Sequence, residues 1–156
     1  MRLEMVEKGL VEKLKLVSEE QRRIAVKVAC ELAFQACPVE LPIVVESLRQ
    51  LLFDNRLTTD QVSGLDALAA QLDKKYFDLQ DSLDEGQNLN LEGLQLFSQA
   101  RAVSALSLAG GENSLMTATE AIYEASSAVD DGTHIFKAVL SVLPEGNRGQ
   151  TTVFVF

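Results

Sequence analysis

The sequence predicts an all-α fold, a compact bundle of about seven helices followed by a short extended or strand-like C-terminal tail. Three observations carry that expectation. Alanine and leucine, the strongest helix formers, dominate the apolar residues, while Trp is absent and aromatics are only 6%. Apolar residues recur at spacings of three and four through most of the chain. Capping residues, prolines and a Gly-Gly pair divide these runs, and the stretches between them are short. The chain has 156 residues, 47% hydrophobic and 24% charged. That is enough for one domain with a true core, assigned to residues 1–143, with residues 144–156 left as a loop and an apolar tail.

The first helix is expected over Leu3 to Val17, on Leu3, Val6, Leu10, Leu14 and Val17, with Gly9 weakening it. Ser18 and Gln21 have capping-box spacing and open the second, with Glu19 and Glu20 in its first turn, where the helix dipole favours anions. Its core face is read as Ile24, Val28 and Leu32 with Ala25, Ala29 and Ala36, and Pro38 ends it. Pro42 starts the third helix, which runs to Asp54-Asn55. Thr58 and Gln61 box the fourth, whose apolar period persists to Gly86; at that length it is expected to kink or end early. A fifth helix runs from Leu91 to Ala109 and stops at Gly110-Gly111. Asn113 or Ser114 caps a sixth, ending at Asp130-Asp131-Gly132, and Thr133 begins a seventh that reaches Leu143 before Pro144. The tail ends in Thr151-Thr152-Val153-Phe154-Val155-Phe156, β-branched and aromatic. Three arrangements are open for it: a short strand, an arm docked on the body, or an arm from Val153 to Phe156 exchanged with a second copy.

Fourteen basic residues against 23 acidic ones leave a formal charge of −9. Such a chain repels phosphate backbones and anionic membrane surfaces, so neither nucleic acid nor membrane is expected as a partner; a basic protein is. The charged N-terminus Met1-Arg2-Leu3-Glu4 lacks the apolar segment of a secretory signal, and no apolar run approaches about 20 residues. The expected location is therefore the cytoplasm.

No catalytic constellation is legible. His134 is the only histidine and falls in the first turn of a short helix. Gly110-Gly111 lacks both phosphate-loop patterns. Cys30 and Cys37 lie seven apart on one helix, roughly 10 Å along its axis, too far for a disulfide. No cofactor and no metal are expected. Asp78, Asp81, Asp84 and Glu85 share most of one helical face. Three readings are open for them: a solvated face, a docking patch for a basic partner, or a divalent-cation site whose spacing does not match a good calcium loop. Arg101 stands in a helix that is small and apolar nearly all round, so it is expected to be buried and to need a carboxylate. Glu120 and Glu124, four apart on the next helix, are the predicted partners, as a structural ion pair.

The segment from Leu94 to Asp131 contains Phe97-x-x-Ala100-Arg101-Ala102-x-x-Ala105-Leu106, Gly110-Gly111, Thr119-Glu120-Ala121-Ile122-Tyr123-Glu124-Ala125 and Asp130-Asp131. It resembles the Ala-rich helical pairs of bacterial immunity proteins, which neutralise toxins delivered between competing bacteria. The resemblance covers about a quarter of the chain and implies a non-enzymatic protein that binds one toxin partner tightly. An acidic face meeting a basic toxin fits it. The expected function is thus a non-enzymatic protein-interaction domain, of the immunity or inhibitor kind. A self-associating structural or regulatory domain is the first alternative, and a metal-dependent enzyme using helical carboxylates the second.

Overall fold

The structure, a computed structural model, describes residues 2–54, 56–83, 87, 90–112 and 114–144. Within them the chain forms eight helices and no strand: α1 (Arg2–Val6), α2 (Lys8–Leu16), α3 (Glu19–Ala36), α4 (Pro42–Asp54), α5 (Thr59–Asp81), α6 (Leu91–Ala109), α7 (Leu115–Ser127) and α8 (Thr133–Val142). The tail from residue 145, with the strand or arm expected of Val153 to Phe156, lies outside the described residues.

Local chemistry accounts for most of the starts. Ser18 and Thr58 form full capping boxes with Gln21 and Gln61. The side chain of Ser114 accepts from the backbone N–H of Thr117, and that of Asn90 from Gly93. Each of these caps satisfies amides that the first turn would leave open, worth about 1 kcal/mol. Pro42 is the first residue of α4, where its missing N–H costs nothing.

Two expectations are corrected. The single N-terminal helix is two, because Glu7 leaves helical geometry at φ −149°, ψ 75°. The break lets the chain fold around α7, which both segments touch. It buries Leu3 beside Leu10, Val11 and Leu14 and brings Arg2 onto α7. Gly9 is not its cause, since that residue is helical and a Cβ there would meet only Glu7 Oε1, at an ordinary 3.8 Å. The buried face of α3 keeps Ala25 and Ala29 of the expected set but is otherwise rotated. Ala25, Val26, Ala29, Cys30, Ala33 and Phe34 are inside, whereas Ile24 and Ala36 are exposed and Val28 and Leu32 only half-buried. The reason is close approach: α3 packs on α7, whose inner residues include Ala118, Ala121 and Ala125. Small side chains on both helices permit short interaxial distances that Ile or Leu would prevent.

Helix α5 runs unbroken for 23 residues and packs antiparallel on α6, as the pairs Asp66–Ser107, Asp73–Arg101 and Tyr76–Phe97 show. Helix α6 is the centre, touching α3, α4, α5 and α7. It is apolar on nearly every side, as a helix enclosed by neighbours must be. Its end at Gly110 is set by packing, because the glycine has ordinary right-handed geometry at φ −75°. A Cβ there would meet Leu57 at 2.6 Å, and the Leu57 N–H donates to the Gly110 carbonyl at 3.1 Å.

Candidate interaction surface

Arg101 enters from α6 at the seam of α5, α6 and α7. Its Nη1 donates to both oxygens of Glu124, at 3.0 and 3.1 Å, and its Nη2 donates to Asp73 Oδ2 at 2.6 Å. Glu124 is 7% exposed and Arg101 18%, so both carry a real desolvation cost that the hydrogen bonds must offset. Arg2 closes the chain from the other side. Its Nη2 reaches Glu120 at 2.7 Å and Glu124 at 3.2 Å, its Nε donates to Glu120 at 3.2 Å, and its guanidinium lies 4.5 Å from the ring centre of Tyr123. Hydrogen bonding to Glu120 holds the Arg2 guanidinium above its ordinary pKa; burial acts in the opposite sense, and Glu124 adds to the rise.

An alternating row results: Asp73, Arg101, Glu124, Arg2, Glu120. It joins α5, α6, α7 and α1. The structure thus brings Arg101 to Glu124, while Glu120 pairs with Arg2. Asp73 and Arg2 were missed in the sequence, because α5 and the N-terminus carry many charges and nothing local marks these two.

An aromatic cluster adjoins the row. Tyr76 lies 5.3 Å from Phe97 and 5.3 Å from Phe77, centre to centre, at tilted and edge-on angles. Such offset geometries suit the ring quadrupole. Arg101 stands 5.7 Å from the centre of Phe97. Phe77 is nevertheless 54% exposed and Phe97 37%. Leu94 and Leu91 continue from Phe97 at helical spacing and are more exposed still. In the sequence Tyr76 read only as a member of an apolar helical period and Phe97 as part of the Ala-rich motif, and nothing singled out Phe77.

The acidic quartet is placed as follows. Asp78 and Asp81 are exposed on the outer side of α5, away from the buried Leu65, Ala69 and Leu72. Asp78 accepts from Lys74 Nζ at 2.9 Å. Asp84 and Glu85 lie outside the described residues. Charge is unevenly spread: residues 59–144 hold 13 carboxylates and four Lys or Arg, whereas residues 1–58 hold nine of each. The whole net charge of −9 therefore belongs to α5–α8 and their connections.

His134 is exposed, and its ring has no hydrogen bond among the described residues. Cys30 and Cys37 are free thiols. Burial raises the Cys30 thiol to about 12 and pushes Cys37 up as well. Among the described residues no three His, Cys, Asp or Glu side chains are grouped as a metal ion would need, and no helix is long and apolar enough to cross a membrane. No protein-family model, characterised protein or solved structure matches the chain.

Proposed function

We propose that this chain is a non-enzymatic protein-interaction domain whose α5–α6–α7 edge docks a basic protein partner. The observation that carries the reading is an aromatic and apolar strip, exposed Phe77, Phe97 and Leu94 around half-buried Tyr76, on the acid-rich part of the molecule. Aromatic side chains are favoured binding anchors because they bury much area at little entropic cost. Here Arg101, itself bonded to Asp73, stands over Phe97, and the three rings pack on one another, so the cluster is organised before a partner arrives. The surrounding carboxylates would accelerate encounter with a positive surface and disfavour negative ones. Neutralisation of a basic toxin, as the resemblance of residues 94–131 implies, is one instance of this role.

A photo-crosslinking residue at position 77, with position 16 as the control, tests the proposal in cells. The expected product is one partner of basic pI, joined through position 77 and not through 16. Replacing Phe77 and Phe97 together by Ser should then weaken that partner's binding at least ten-fold. Asp78→Lys with Asp81→Lys should slow association and flatten its salt dependence. A partner whose affinity and association rate ignore all four substitutions rejects this surface.

A further inference from the structure

A cleft of about 440 Å³ opens where α3 and α7 end against the first turns of α6. That volume falls within the range of small-molecule sites and far exceeds one amino-acid side chain. Leu91, Leu94 and Val129 supply apolar wall. Gln95, Ser98 and Gln99 from α6 and Asp130 from the end of α7 supply polar groups. None of these four side chains forms a hydrogen bond or ion pair with another described residue, although Ser98 and Gln99 are half-buried. Their donors and acceptors face the cleft and its water, where a ligand's polar groups can replace that water.

The electrostatics choose what that is. The cleft is lined by Cys37 and Ala128, the residues that cap the C-termini of α3 and α7. The last carbonyls of a helix lack intrahelical partners, and that end carries partial negative charge. Asp130 adds a full one, and no Lys, Arg or His is in the lining. The positive end of α6 is already answered by its Asn90 cap and by Glu92. We infer that this cleft binds a small organic cation, an ammonium or guanidinium group on a short aliphatic chain. The charged group would sit at Asp130 and the helix ends, the amides would take the N–H and hydroxyl groups, and the chain would lie along Leu91, Leu94 and Val129. The cleft shares Leu94 with the docking face but does not rest on that reading.

Calorimetric and NMR titration of the full chain with spermidine and with agmatine tests it, with 1,4-butanediol as the uncharged probe. A single site is expected, with shifts at residues 94–99 and 128–130 and no response to the diol. Asp130→Asn and Gln99→Leu should each weaken binding at least ten-fold, and Asp78→Asn should not change it. Ser98→Phe should plug the cleft; if that variant fails to fold, the first two decide. No binding at millimolar probe overturns the proposal. So does equal binding by Asp130→Asn, or equal loss in Asp78→Asn, either of which marks a diffuse attraction to an acidic protein.

Discussion

Arg101 is more than a member of an ion-pair row, because removing it takes the cation from Asp73 and leaves the buried Glu124 with Arg2 alone. Arg101→Met should cost about 2 kcal/mol of stability by urea unfolding, since breaking one side of a desolvated pair strands the other. Glu46→Gln, which breaks an exposed pair with Arg49, should stay within about 0.5 kcal/mol. Equal effects of the two would show that burial does not govern the row. Cys30 gives a second test. Its folded pKa is raised to about 12 by burial, against roughly 8.5 in an unfolded chain. Its contribution is therefore complete below about pH 8.5 and is lost as pH rises towards 12, by about 1.4 kcal/mol per unit. Cys30→Ala should remove that slope. Asp131 has the opposite sense. The hydroxyl and then the amide of Thr133 bond to its carboxylate and lower its pKa. Its contribution is present above about pH 4 and fades as pH falls through the lowered value. An NMR titration of the Asp131 carboxyl should thus show a midpoint below the ordinary one, and Thr133→Ala, which removes the hydroxyl and keeps the amide, should raise it part of the way back.

At the scale of helices, glycines separate two kinds of close contact. Gly110→Ala drives a methyl group into the base of the Leu57 side chain, 2.6 to 2.8 Å away, and should cost about 2 kcal/mol; Leu57→Ala in the same chain should recover part of it. Gly64→Ala meets the far end of Ile43, which can turn aside, and gains helix propensity, so its melting temperature should barely move. Helix starts were readable because a cap and its partner lie three residues apart, as Ser18 and Gln21 do. The inner face of α3 was legible only in part: Ala25 and Ala29 are inside as expected, but leaving Ile24 outside depends on α7, about a hundred positions along. The ion pairs divide in the same way. Arg101 stood out as the one cation in an apolar helix, and its Glu124 partner was near enough to propose. Arg2 reaches Glu124 across 122 positions, and no local pattern encodes that. The cleft beside Asp130 was hidden for the same reason, since it is made from the ends of three helices.

Taken whole, the molecule has one helix, α6, enclosed from Ala100 onward, and a periphery held with unequal strength. Helix α6 is covered by α3, α4, α5 and α7, whereas α1 and α2 touch mainly each other and α7. Local opening needs only the contacts of the segment that opens. Amide hydrogen exchange should therefore be fastest in α1 and α2 and slowest from Ala100 to Leu106, where only global unfolding frees the backbone. Arg2→Ala should speed exchange in α1 and leave α6 unchanged; a uniform rise would mean that the chain opens as a single unit. The kink at Glu7 then acquires a meaning in time. It divides the N-terminal helix so that five residues can lift from α7 and reseat while the eighteen residues of α3 stay in place. Tyr123 and the oxygens of Glu120 would then meet solvent for brief intervals in a protein that remains folded.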